Sequence, residues 1–186
     1  YQPLRTLSET QAIKKIIDED IIGPVYMIKY ARSLYIRRND WQSLKKYGGG
    51  MLNNYGAHCI DLLLHLTGST AGKINCYLRK IASLGDADDV VKAIIETKNG
   101  ILLDFDINMA AAYRLPSWTI LGERGTVVNG QADDGKSIFK IKYFHKEELG
   151  ELSLKTELAA QGRSYANNDI IPWKEKIVEI SNFPKI

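Results

Sequence analysis

Only two cysteines, Cys59 and Cys76, occur in the 186 residues, too few for a disulfide framework. Cys59 falls on the apolar side of a helical run and Cys76 in a strand-like run. The sequence therefore predicts two reduced core thiols and a reducing, cytoplasmic compartment. No apolar run approaches the roughly 18 residues that a membrane span needs, and no signal peptide is expected. The charge balance is mild, with a net +3 and a pI near 8.7. Basic residues come in short doublets such as Lys14-Lys15, Arg37-Arg38 and Lys45-Lys46. That pattern argues against a nucleic-acid partner or an anionic membrane surface. No Walker loop, nucleophile elbow or dinucleotide glycine fingerprint is present.

What remains is ordinary for a globular chain: 45% hydrophobic and 25% charged residues, enough for a sizeable core in a single domain over residues 1–186. The first residue is Tyr1 rather than Met, so the expectation is a piece of a longer protein. Ser8–Asp18 reads as a helix, with Ser8 and Gln11 as a capping pair and Ala12, Ile13, Ile16 and Ile17 as its buried stripe. Val25–Tyr35 reads as a long strand, and further strands are expected at 74–81, 89–97, 101–109, 118–121, 126–129 and 138–144. Lys98-Asn99-Gly100 and Gly122-Glu123-Arg124-Gly125 fit tight hairpin turns. Residues 147–186 show weak periodicity, with an exposed loop at Ser164–Pro172. Helices first and hairpin strands after predict an α+β domain: a mostly antiparallel open sheet with helices on one face. Val91, Ala93 and Ile95 alternate with Val90 and Ile94, so the second face also needs a cover, and a second subunit is the expected one.

The chemistry concentrates in Met51–Leu66, a helix-like run that follows Gly48-Gly49-Gly50. At about 100° per residue, Asn54, His58, Asp61 and His65 fall within an arc of roughly 60°. A solvated or self-satisfied polar stripe is the plainest reading of that line. The glycines favour a site, because they let backbone approach a ligand and leave N–H donors at the helix start. His58 suits general acid–base work near neutral pH, or a neutral imidazole donating to a carbonyl. Asp61 could orient the imidazole or cap backbone. The spacing of His58, Asp61 and His65 could converge on zinc, but the His-Glu-x-x-His pattern is absent and no metal is assigned. Arg37, Arg38 and Trp41 precede the glycines and are weaker candidates for touching a ligand. Tyr113, Arg114, Pro116 and Trp118 could line a sugar pocket or belong to core. Gly122–Gly125 has the form of a nucleic-acid GxxG loop, but it joins strands, where that module needs helices.

Residues 48–61, Gly-Gly-Gly-Met-Leu-Asn-Asn-Tyr-Gly-Ala-His-Cys-Ile-Asp, resemble the GGGxLxDxGxHxxD signature of the glucose–fructose oxidoreductase / inositol dehydrogenase / MocA family. The opening Tyr1-Gln2-Pro3-Leu4-Arg5, the turn Ile22-Gly23-Pro24-Val25 and the two hairpins are similar to that family's C-terminal domain as far as about Asn129. The resemblance implies a substrate and oligomerisation domain of a nicotinamide-dependent oxidoreductase acting on a sugar, an inositol or a related polyol. It implies His58 and Asn54 as the catalytic pair and Asp61 as support. NAD or NADP would be held mainly by an N-terminal Rossmann domain that this sequence lacks, with no cofactor on the chain alone. A homo-oligomer through the open sheet face is implied as well. Asn54 stands where the family motif has Asp, and an amide cannot accept a hydroxyl proton. That departure keeps a non-catalytic binding or scaffold module as the alternative.

Overall fold

The structure, a computed structural model, describes residues 2–152 and 169–183. After a 3-10 turn at Pro3–Thr6, helix α1 spans Ser8–Asp18 and strand β1 spans Val25–Ser33. A π-helical turn at Leu52–Gly56 leads into α2, Ala57–Thr67. Then come β2 (Ala71–Arg79), β3 (Val90–Thr97), β4 (Leu102–Asn108), β5 (Trp118–Gly122), β6 (Gly125–Gln131), β7 (Ser137–Tyr143) and β8 (Lys174–Glu179). The described strands form one eight-stranded open sheet in the order β2-β3-β4-β1-β5-β6-β7-β8. Every pairing is antiparallel except β1 with β4, which run parallel because β1 enters the middle of the sheet from the helical segment. The expected α+β architecture is the one observed.

Alternation decides which face carries the core. Val91, Ala93 and Ile95 on β3 and Leu103, Phe105 and Ile107 on β4 are buried beneath the helices, as period-two patterning requires. From above, α1 contributes Ala12, Ile13 and Ile16, and α2 contributes Cys59, Leu62, Leu63 and Leu66. Tyr30 of β1 and Trp118 of β5 are paired neighbours whose ring centroids lie 4.6 Å apart. Phe105 is fully buried in this layer; truncating it to Ala would cost about 3–5 kcal/mol. Residues of the other parity, such as Met27, Leu102, Asp104 and Leu121, remain half-exposed on the open face.

Four expectations need correction. Ser8 does not cap α1: Leu7 holds the N-cap position without a side-chain bond, and the Gln11 amide donates to Arg5 O at 2.7 Å. The 3-10 turn before the helix displaces the capping box. Cys76 is exposed rather than core, because β2 is an edge strand that the helices do not reach. In the β3–β4 turn only Gly100 takes a positive φ, +86°, while Asn99 instead bonds Thr97 and Thr67 through its side chain. Finally, β8 emerges from the weakly periodic tail by pairing with β7. Part of the loop expected at Ser164–Pro172 lies outside the described residues.

Candidate functional site

The glycine loop is a structural clasp. Gly49 N–H donates to Leu44 O at 3.1 Å and Gly50 N–H to Gln42 O at 3.0 Å. The next donors, Met51 N–H and Leu52 N–H, go to Asp88 O and Asp88 Oδ2, each at 2.9 Å. Free N–H groups for an anion at the helix start, as the sequence suggested, are therefore not found there. The acceptor arrives from a segment more than thirty residues away, which local sequence cannot announce. A dinucleotide pyrophosphate does not fit this loop either, since the N–H groups of Gly48–Leu52 are occupied and the Asp88 carboxylate, bonded to Leu52 N–H, would repel the phosphate charge.

The polar line is also rearranged. Between Leu52 and Gly56 the backbone makes a π-turn, which takes more residues per revolution than an α-turn, so Asn54 departs from the α-helical angle to His58. Asn54 Nδ2 donates to Gln42 Oε1 at 3.1 Å, and Gln42 in turn receives Arg38, which pairs with Asp40 at 2.9 Å. His58 Nδ1 lies 2.8 Å from Gln2 Oε1. In a neutral ring, donation from Nδ1 to that oxygen leaves the lone pair on Nε2. Asp61 accepts from Arg5 Nε and Nη2 at 2.7 and 2.5 Å. Both Asn54 and His58 are half-buried, but each answers to a different partner. Among the described residues, no group of three or more His, Cys, Asp or Glu side chains could hold a metal ion.

A cavity of about 350 Å³ is bounded by the 3-10 turn, α1, the end of β1, Tyr55, Leu62 and residues 114–118, and Asn54, His58, Asp61 and His65 are not among the residues that line it. Leu4, Leu7, Leu62 and Leu115 form apolar wall. Polar groups come from Glu9, Thr10, Tyr30, Arg32, Ser33, Tyr55, Arg114, Ser117 and Trp118. The Arg32 guanidinium stacks on the Tyr55 ring at 4.1 Å and donates to the Tyr55 hydroxyl at 3.1 Å. Burial raises the Glu9 carboxyl above its ordinary value, offset in part by the Trp118 indole. That indole approaches without reaching hydrogen-bond geometry: Trp118 Nε1 and Ser33 Oγ are both buried with no partner among the described residues.

Sequence reasoning reached Arg114 and Trp118 of this cavity through an aromatic-basic cluster. Arg32 and Tyr55 gave no signal, because one is a charged residue in a strand and the other reads as helix core. The earlier candidates lie elsewhere. Trp41 is 59% exposed, Arg37 is exposed, and Arg38 borders a pocket of only about 30 Å³ beside Gln42 and Asp88. Tyr113, 88% exposed, does not line the cavity. The Gly122–Gly125 segment is a hairpin turn whose Glu123 and Arg124 N–H groups donate to Pro24 O and Ile22 O.

Comparison with known proteins bears on this geometry. The model of the family described as "GFO/IDH/MocA C-terminal domain" matches residues 10–128. The uncharacterized protein YMR315W of Saccharomyces cerevisiae is 27% identical over 139 residues, 69% of this chain and 40% of that protein. An NAD-binding protein from Listeria innocua shares the fold with a TM-score of 0.73 at 20% identity, over 100% of this chain and 52% of its own. The WlbA dehydrogenase from Bordetella pertussis, solved in complex with NADH and UDP-GlcNAcA, matches with a TM-score of 0.57 at 26% identity, covering 69% of this chain and 39% of its own. The chain thus spans about half the length of these relatives, or less.

Proposed function

The chain belongs to the GFO/IDH/MocA family through its C-terminal domain, and from that premise we propose that it is the substrate-binding and oligomerisation domain of an NAD(P)-dependent oxidoreductase acting on a sugar, an inositol or a related polyol. The observation that carries the reading is His58, held at Nδ1 by Gln2 so that Nε2 is free to accept a proton. Tyr55, edge-on to the His58 ring at 6.3 Å between centroids, joins it to the cavity. In this reading His58 hydrogen-bonds or deprotonates the reacting hydroxyl, and Asn54 positions it. Asp61 acts in support by tying α2 to the opening turn through Arg5.

Nicotinamide supplies hydride transfer in such enzymes, and NADH accompanies the WlbA relative. The glycine loop of this chain does not fit the dinucleotide, so NAD or NADP is assigned to a nucleotide-binding domain. Half-exposed Met27, Leu102 and Leu121 on the open sheet face support a homo-oligomer. Two free cysteines support a reducing, cytoplasmic setting; among the described residues, no helix is long and apolar enough to cross a membrane. The competing scaffold reading draws on Asn54, whose amide is engaged by Gln42 rather than left open.

The test is an NMR titration of the chain with D-glucose and myo-inositol. Resonances of Tyr55, His58 and Trp118 are expected to shift, and no response at any of the three would overturn the assignment. In the enzyme carrying this domain, His58→Gln is expected to lower kcat by about a hundredfold or more, with KM little changed.

A further inference from the structure

The cavity at the end of β1 carries two guanidiniums and a buried indole N–H. A neutral polyol offers hydroxyls that both donate and accept, and its pockets mix donors with acceptors. Here three side chains can only donate, the Arg32 and Arg114 guanidiniums and the Trp118 indole, beside Glu9 and the hydroxyls of Thr10, Tyr30, Ser33, Tyr55 and Ser117, which can also accept. Trp118 is 1% exposed and Ser33 7% exposed, and neither polar atom has a partner. An unsatisfied buried polar group costs about 1–3 kcal/mol, so the indole calls for an acceptor and the hydroxyl for a partner of either kind.

Neither Arg32 nor Arg114 has a carboxylate partner among the described residues. Arg32 is held in place by Tyr55, through ring stacking and one hydrogen bond. That single bond occupies one of its five N–H donors, so the fork remains open to a planar anion. The sole acid on the wall is Glu9, whose carboxyl burial raises above its ordinary range. At about 350 Å³ the cavity is at the lower end of small-molecule sites, about 300–1,000 Å³. That is room for a single ring.

We propose that this cavity reads a carboxylate on a sugar-acid or polyol-acid ligand, with Arg32 and Arg114 as the specificity-determining residues. The proposal rests on the functional reading above and narrows its substrate class. It assigns the apolar wall to the ring face and the guanidiniums to the acid group, leaving the hydroxyls directed toward α2.

The experiment is calorimetric or NMR titration of the chain with D-glucuronate and D-glucose, which differ in a carboxylate for a hydroxymethyl group, and with acetate. Glucuronate is expected to bind at least about tenfold tighter than either, with a preference that weakens as salt is added. Arg114→Met, on an exposed loop where folding is not at stake, should reduce that preference to near unity. Arg114→Lys should retain part of it, and Arg32→Met, checked by circular dichroism, should act like Arg114→Met. Equal affinity for glucuronate and glucose would overturn the acid proposal and leave the polyol reading standing. Acetate binding as tightly as glucuronate would reduce the site to a bare anion site and also overturn it. If neither sugar binds, both readings fall.

Discussion

Arg5 and Asp61, fifty-six residues apart, form a two-pronged pair at 2.7 and 2.5 Å that fastens the opening turn to α2. Gln2, at the N-cap position of the same turn, contacts the His58 imidazole at 2.8 Å. The hydrogen bond from Arg5 lowers the Asp61 pKa, its charge adding to the effect. The folded pKa lies below the unfolded one, so the pair contributes stability above the ordinary carboxylate range and loses it as pH falls through the depressed value. Asp61→Asn is expected to be slightly less stable than wild type at neutral pH, the modest effect of an exposed pair. The two melting curves should converge in acid. A difference that persists at the acid end would mean that the pair is not what the substitution removes. The same variant should broaden the His58 resonances by loosening Gln2.

Gly50 and Asp88 make a second prediction. Gly50 has φ +116°, and a Cβ there would land on Asp88 Oδ1. Gly50→Ala is expected to cost about 1–3 kcal/mol in chemical denaturation. Asp88→Ala is expected to cost about 1 kcal/mol, the worth of a lost helix cap. Combined, the two should cost less than their sum, because removing Asp88 removes the collision but not the backbone strain. Strict additivity would show that the clasp is not a coupled unit.

Asp89, only 3% exposed, gathers three backbone donors, Ile81, Ala82 and Ser83 N–H, at 2.7, 2.6 and 2.5 Å. It organises the whole β2–β3 connection. Asp89→Asn leaves one acceptor oxygen for three donors and places an NH₂ against N–H groups. Destabilisation by about 2 kcal/mol or more is expected, with hydrogen exchange accelerating at residues 81–83. Unchanged protection there would refute the role.

The sheet was legible because its period-two pattern and its turn residues agree: Val91, Ala93 and Ile95 face one way, and Asn99-Gly100 turns the chain. The parallel β1–β4 contact was not, since pairing partners seventy or more residues apart leave no local mark. The site was legible only in its motif. His58, Asn54 and Asp61 stand out by spacing, yet the π-turn and the distant partners Gln2, Gln42 and Arg5 decide where they act. The cavity escaped because Arg32 and Tyr55 meet only once β1 lies beneath the π-turn. Asp88 and Asp89 read as a polar start to a strand, and their capping work appears only in three dimensions.

Thiol chemistry separates the two cysteines. Burial pushes the Cys59 pKa up to about 12, so almost no thiolate forms near neutrality and no reagent can reach it. Cys76 is exposed on the edge strand, with a pKa raised by burial and by Asp88. Native protein is expected to label slowly with a maleimide at Cys76 alone and at both thiols in denaturant. Cys76→Ser should abolish the native reaction. Native labelling at Cys59 would mean that α2 opens far more readily than its packing implies.

The direction of the two cavity arginines can be decided through Glu9. Desolvation raises its folded pKa above the unfolded value, with the Trp118 indole working weakly the other way. A raised acid binds a proton in the folded state that the unfolded chain has already released. Its contribution therefore declines as pH rises from about 4.3, the unfolded value, to the higher folded one, and is constant beyond. Relative to Glu9→Gln, wild type is expected to lose stability across that window, and the Trp118 environment should change with it. Were Arg32 and Arg114 directed at Glu9, they would stabilise the carboxylate and reverse the slope. A wild type that gains stability with pH would pair the arginines with Glu9 and leave no cation for a ligand. The expected decline leaves both guanidiniums open to the acid group of a bound sugar.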